Sequence, residues 1–240
     1  SQLINSGSIS GVSNDGSLTN LANSGSISNG VDNSGALTSL VNSIGGVISG
    51  KFAVYVGGGS IATISNAGSI SGNVAGIANL AQTGSIYNSG YISGSAGRGV
   101  GNSIGTIGTI TNAAGGTITG SASGIGNGGV TGLISLISNS GYIASAKSGV
   151  GNSAKIASIS NSGTLTGSVS GIGNSGSIGQ ISNSGLISSA GGAIGNSGTI
   201  GSIVNSGTIS GAQAITNGSS VALGPISNTG VIIGGISSQF

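Results

Sequence analysis

The sequence predicts an all-β protein in which a single parallel β-helix, or β-solenoid, of about 11 coils occupies residues 1–240. Three observations predict this fold class. An aliphatic-x-Asn pattern returns every 18 to 27 residues, aliphatic residues alternate with small hydroxyl residues, and 53 glycines stand between the apolar positions. No 3.6-residue apolar period is present, so amphipathic helices are not expected.

The asparagine pattern is the strongest of these signals. A first series of eleven Asn residues follows a Leu or Ile by two positions: Asn5, Asn23, Asn42, Asn66, Asn88, Asn112, Asn139, Asn161, Asn183, Asn205 and Asn228. A second series lies between them: Asn14, Asn33, Asn79, Asn102, Asn127, Asn152, Asn174, Asn196 and Asn217. Its third-repeat member is missing, and Gly57–Gly59 follow nearby. We expect the first series to form a ladder of side-chain hydrogen bonds at one corner of the stacked coils.

Short stretches such as "SIS", "TIT" and "TLT" predict the strands, because apolar and hydroxyl residues alternate in them. Parallel strands of neighbouring coils lie about 4.8 Å apart, so eleven coils predict a rod on the order of 50 Å long. Each coil contributes one aliphatic residue to each internal column. In the third coil either Val47 or Ile48 fills the column that follows the first asparagine series.

The corners are predicted from Asn and Gly, which adopt positive φ at least cost. The half-coils are unequal: Asn174 to Asn183 is nine residues, whereas Asn183 to Asn196 is thirteen. The extra residues are small and predict a third corner. The first two coils have only 18 and 19 residues. We therefore expect them to lack the third corner and to be narrower.

Three stretches carry a family resemblance: "NSGTISG" (Asn205–Gly211), "NAGSISG" (Asn66–Gly72) and "NSGTLTG" (Asn161–Gly167). They resemble the repeats of bacterial autotransporter passenger domains and related β-helical surface adhesins, and the resemblance covers essentially the whole chain. It implies a right-handed parallel β-helix that is secreted through the outer membrane and displayed on the cell surface. Contact with the outer membrane is expected only through a segment outside these residues, as part of a longer chain.

Enzymatic chemistry is not expected. The chain has no His or Cys, and Asp15 and Asp32 are the only carboxylates, at positions that look like corners. "GIGNGG" (Gly124–Gly129) fits a dinucleotide-binding glycine pattern, but no helix or ribose-binding carboxylate follows it. No catalytic, cofactor-binding or metal-binding residue is therefore predicted. Four basic residues are too few and too scattered for a nucleic-acid partner.

Three functional hypotheses remain. The first is a non-catalytic extracellular rod, the stalk or adhesin passenger of a Gram-negative bacterium, whose partner is a host or neighbouring-cell surface. The second is self-association of solenoids end to end into an extracellular filament. The third is ice binding through hydroxyl rows around Thr117–Thr119 and Thr164–Thr166, although Tyr91, Tyr142 and Leu186 interrupt the row.

The third coil is the candidate contact site. The stretch "GKFAVYVGGG" breaks the repeat and concentrates Lys51, Phe52 and Tyr55. Exposed aromatic and basic residues are favoured in recognition, so these three are the predicted partner contact. The alternative is a wider coil that buries Phe52 and Val54.

Overall fold

In a computed structural model, which describes residues 1–218 and 222–238, the chain is a stack of parallel β-coils. Each coil has three faces, and the first face is a sheet of eleven parallel strands. These are β1 (Gln2–Asn5), β4 (Ser17–Asn23), β7 (Ala36–Asn42), β9 (Ser60–Asn66), β11 (Gln82–Asn88), β14 (Thr106–Asn112), β17 (Leu133–Asn139), β20 (Lys155–Asn161), β23 (Ser177–Asn183), β26 (Thr199–Asn205) and β28 (Ile226–Asn228). The predicted β-solenoid of about 11 coils is confirmed.

The second and third faces follow in each coil. The second face contains β2 (Ser8–Ile9), β5 (Ser26–Ile27), β12 (Tyr91–Gly94), β15 (Thr117–Gly120), β18 (Tyr142–Ser145), β21 (Thr164–Gly167) and β24 (Leu186–Ser189). The third contains β3 (Val12–Asn14), β6 (Val31–Asn33), β13 (Arg98–Asn102), β16 (Ser123–Asn127), β19 (Ser148–Asn152), β22 (Ser170–Asn174) and β25 (Gly192–Asn196). Four longer strands continue through the corner between these faces: β8 (Val47–Val56), β10 (Ser69–Asn79), β27 (Thr208–Asn217) and β29 (Val231–Ser238).

The core consists of four aliphatic columns that run along the rod. In the eighth coil Ile156, Ile159, Leu165 and Ile172 are fully buried, and each pairs in register with an aliphatic residue of the next coil. Burial of a single aliphatic side chain stabilises the fold by about 1.5–3 kcal/mol. Because one coil has no second layer against which to pack, this burial depends on its neighbours.

The first two coils differ from the prediction. Each already has three strands, so the third corner is present and the expectation that they lack it was wrong. Their strands on the second and third faces contain only two and three residues, whereas those from β12 to β25 contain four and five. The early coils are therefore shorter along these two faces because the strands are shorter.

The glycines of the Asn-Ser-Gly corners do not adopt positive φ, in contrast to the prediction. A Cβ built on Gly185 would lie 2.2 Å from the carbonyl oxygen of Gly163, its counterpart one coil earlier. These corners need glycine because they stack too closely for a side chain. Among the corners that follow a ladder asparagine, positive φ is found in longer ones, as at Gly45 (82°) and Gly115 (84°). Gly30 (84°) and Gly234 (106°) adopt it between the second and third faces.

The third coil shows which residue fills the core column and which residue replaces the missing asparagine. Ile48 is fully buried and fills the core column, whereas Val47 is 39% exposed. Val56 occupies the place of the missing asparagine, since it pairs in register with Asn33 and Asn79. The missing corner asparagine is thus replaced by a buried valine, and Gly57–Gly59 form the corner that follows.

Candidate functional site

The first asparagine series forms the predicted ladder. Each Asn ends a strand of the first face, and its Nδ2 donates to the Oδ1 of the Asn in the next coil over 2.7–2.9 Å. Ten such bonds link the eleven residues from Asn5 to Asn228 without interruption, and all members except Asn228 are buried. All ten bonds run in the same direction along the rod.

Each ladder amide also donates hydrogen bonds to main-chain carbonyl oxygens at the corner. The Nδ2 of Asn161 approaches the Oδ1 of Asn183 at 2.7 Å, the carbonyl oxygen of Gly163 at 3.1 Å and that of Leu186 at 3.1 Å. The same arrangement recurs from coil to coil. A buried amide without partners would destabilise the fold, so the ladder both satisfies the side chain and fixes the position of the bend.

The second series forms a ladder that Val56 interrupts. Bonds of 2.7–2.9 Å join Asn14 to Asn33, and then run from Asn79 to Asn217. Val56 cannot donate to the Oδ1 of Asn79, and the Thr83 hydroxyl donates to that oxygen instead, at 2.9 Å. Thr83 lies in a core column whose register neighbours are Ile61 and Ile107. A single threonine therefore compensates for the missing asparagine.

The predicted contact residues of the third coil come together on the outer side of the third face. The half-buried rings of Phe52 and Tyr55 stack with centroids 5.3 Å apart, and the Lys51 ammonium lies 5.6 Å from the Phe52 centroid. Ala53 and Val54 face inward and are fully buried. The alternative of a buried Val54 is confirmed, but Phe52 is not in the core.

An apolar hollow adjoins these rings. It encloses about 430 Å³, and its lining includes Phe52, Tyr55, Val74, Leu80 and Arg98. Sequence reasoning singled out the aromatic residues but not the hollow, because Val74 and Arg98 belong to the next two coils.

A trough continues from Arg98 along the third face toward later coils. It encloses about 580 Å³ and is lined by Arg98, by the serines Ser123, Ser148 and Ser170, and by a row of glycines. Of these, Gly151, Gly173 and Gly195 are register partners in the middle of the sheet. Gly101 and Gly126 continue this glycine row toward earlier coils, under the Arg98 side chain.

The second face carries a different outward row. Tyr91, Thr117, Tyr142, Thr164 and Leu186 are successive register partners. The prediction that the aromatic residues and Leu186 interrupt the threonines is therefore confirmed. A shallow hollow of about 720 Å³ lies beside Tyr91 and Tyr142.

The two carboxylates occupy different settings. Asp15 lies at the corner after β3, where the Ser13 hydroxyl is 3.4 Å from its Oδ2. Asp32 lies within β6 and is exposed, so its predicted corner position was wrong. In the described ranges, no three metal-ligating side chains come together. Residues 1–218 and 222–238 also contain no helix long and apolar enough to cross a membrane.

Comparisons with protein-family models, curated proteins and solved structures found no match to this chain. Its interpretation therefore depends on the geometry above. The residues missed by sequence reasoning are Arg98, Ser123, Val56 and Thr83. The signal that could have found the trough is the recurrent Gly placed one residue before each second-series Asn from Asn102 to Asn196, as in "GVGN" and "GIGN".

Proposed function

We propose that the protein is a non-catalytic structural and adhesive rod on the outer surface of a bacterial cell. The observation that carries this proposal is the continuous stack of coils, held internally by aliphatic columns and two amide ladders. Such a stack keeps its outward faces in fixed order over roughly ten strand spacings of about 4.8 Å each. The repeated Asn-Ser-Gly corners maintain this geometry, and the outward side chains are available to bind a partner.

The composition of these outward faces supports adhesion over catalysis. Only six charged side chains occur in 240 residues, and the outer rows are mainly Ser, Thr, Gly and isolated aromatic residues. Hydroxyl and aromatic groups bind neutral or weakly charged surfaces by hydrogen bonding and apolar contact. The resemblance of the "NSGTISG" type of repeat to β-helical surface adhesins agrees with this role.

The test is adhesion of cells that display the rod. The chain is fused to an outer-membrane anchor, and adherence to host epithelial cells and to neighbouring bacteria is counted. We expect adherence above that of cells displaying the anchor alone, and loss of adherence in the ladder variant Asn139→Leu/Asn161→Leu at equal surface level. Absence of adherence by the folded, displayed rod to both kinds of cell would overturn the adhesive role.

A second candidate is end-to-end assembly into filaments, and the direction of the ladder favours it. Every ladder Nδ2 donates toward the later coil, so two rods that share an axis must join head to tail. Ile233 and Ile236 of the last described coil are more than half exposed, a surface that further coils or a second copy would cover. Sedimentation velocity over a range of concentrations tests this candidate: growth that Ile236→Lys suppresses supports it, and a concentration-independent monomer contradicts it.

A further inference from the structure

We propose that the trough on the third face binds an acidic polysaccharide, one extended chain of carboxylate-bearing sugars lying parallel to the rod axis. This inference rests on the proposed adhesive role and names the ligand class for one face. The trough begins at Arg98, which also lines the apolar hollow beside Phe52 and Tyr55, and runs toward Thr216.

Arg98 provides the charge. Its half-buried side chain lies over the glycine row, because a Cβ built on Gly126 would be 2.4 Å from the Arg98 Cδ. Across the part of the chain that the structure describes, its guanidinium has no hydrogen-bond or ion-pair partner. A guanidinium held in a hollow offers paired donors that match a carboxylate, so the occupant is expected to carry one.

Ser123 adds an unpaired hydroxyl to the lining of the trough. It is 8% exposed and lines the trough, yet its hydroxyl has no hydrogen-bond partner among residues 1–218 and 222–238. By contrast, Ser148 and Ser170 bond to each other at 2.9 Å. Among the described residues no fully buried side-chain oxygen lacks a partner, so the Ser123 hydroxyl opens to the trough and is available to a ligand hydroxyl.

The charge distribution favours an anionic occupant. Lys51 and Arg98 are two of the four basic residues in the chain, and both lie beside Phe52. Asp32 pairs in register with Tyr55 from the earlier coil, on the side away from the trough. Asp32 therefore borders the aromatic pair, whereas Arg98 lies three coils beyond Asp32, toward the serines.

The chemistry of the lining favours a sugar chain over an acidic peptide. The floor is the middle of a sheet, since β16, β19 and β22 each pair with coils on both sides. It offers no free backbone edge to which a peptide strand could add. It does offer hydroxyls and a bare glycine surface for close approach. The adjoining hollow offers the Phe52 and Tyr55 rings, on which the apolar face of a sugar can stack.

Calorimetric titration with a hexamer of galacturonic acid tests the proposal, with its fully methyl-esterified form and a poly-glutamate peptide of similar length as comparison probes. We expect the hexamer to bind, and the ester and the peptide to bind at least tenfold more weakly. Arg98→Gln should weaken binding of the hexamer at least tenfold, and added salt should weaken it for the wild type. Equal binding of the ester, or preferred binding of the peptide, would overturn the proposal.

Two variants block the trough without disturbing the core. A Cβ on Gly151 meets only the Ser123 hydroxyl within 3.0 Å, and one on Gly195 meets no atom within 4 Å. Gly151→Val should reduce hexamer binding at least tenfold and Gly195→Val should also reduce it, whereas Ser160→Val on the exposed first face should not. Wild-type binding by a folded Gly151→Val variant would contradict the proposed site.

The display experiment separates this inference from the proposed function. If displayed Gly151→Val rods adhere to cells as well as wild type does, the trough is not the adhesive surface and the adhesive role stands. If wild-type rods bind the hexamer but adhere to no cell, the trough assignment stands and the adhesive role fails.

Discussion

At the scale of single residues, the Asn-Ser-Gly motif combines two separate requirements. The Asn amide links one coil to the next, as in the 2.8 Å bond from Asn139 to Asn161. The Gly gives room for one corner to lie directly on another. Neither requirement involves chemistry with a substrate, which is why the motif repeats without forming an active site.

The isosteric change Asn139→Asp tests the ladder through pH. The new carboxylate can accept from Asn112 but cannot donate to the Asn161 Oδ1, so two oxygens face each other without a proton. Burial raises the pKa of this carboxyl in the folded state above its unfolded value, so the folded state binds more protons. Stability should therefore be closest to wild type in acid and should fall as pH rises through the folded pKa.

Urea unfolding across the acidic pH range measures this effect. The exposed Asn73→Asp variant is the control and should show little dependence of its relative stability on pH. A pH-independent stability difference between Asn139→Asp and wild type would show that Asn139 does not donate in the ladder.

The stacking role of glycine predicts opposite results at two sites. Gly185→Ala places a Cβ 2.2 Å from a backbone oxygen, whereas Gly195→Ala meets no atom within 4 Å. We expect the first change to destabilise the fold by about 1–3 kcal/mol. The second should be neutral or stabilise it by up to about 1 kcal/mol, because it restricts the unfolded chain. Equal unfolding midpoints for both variants would contradict the close-stacking explanation.

At the scale of strands and ladders, the third and fifth coils are coupled to each other across the fourth. Val56 removes a donor from the second ladder, and Thr83 supplies one from the adjacent core column. The sequence shows each substitution as an isolated departure from its column. Only the register of the strands shows that one departure compensates for the other.

A double-mutant cycle on Val56→Asn and Thr83→Ile measures this coupling. Thr83→Ile alone leaves the buried Oδ1 of Asn79 without its donor, which costs about 1–3 kcal/mol. Together the two changes restore a continuous ladder and a fully aliphatic column. We expect a coupling free energy of about 0.5–3 kcal/mol in favour of the double variant. Additive effects in chemical denaturation would contradict compensation.

Much of the fold could be predicted from the sequence because column residues such as Ile159 and Ile181 recur at regular distances from Asn. The third face could not be predicted in the same way. Ala193 and Ile194 are consecutive residues of β25 and both are fully buried, so the alternation of inward and outward side chains fails near the start of this strand. This break reverses which residues point outward, and it places Arg98 and the glycine row together in the trough.

At the scale of the whole molecule, one continuous core runs from Val12 to Ile215 within a stack whose coils contact mainly their neighbours. The sequence predicted this stack but not its partner, because the Asn-Ser-Gly corners are the same whichever ligand the outward faces bind. The 22-residue coils between Asn139 and Asn205 are interchangeable units stacked along one axis.

Small-angle X-ray scattering of a lengthened chain tests that claim most directly. Residues 140–205 comprise three coils of 22 residues that begin after Asn139 and end at Asn205, so a second copy inserted after Asn205 preserves the register. We predict that the maximum dimension grows by three strand spacings, roughly 14 Å, while the cross-sectional radius stays the same. A thicker particle of unchanged length, or a chain that no longer folds, would contradict the stacking of interchangeable coils.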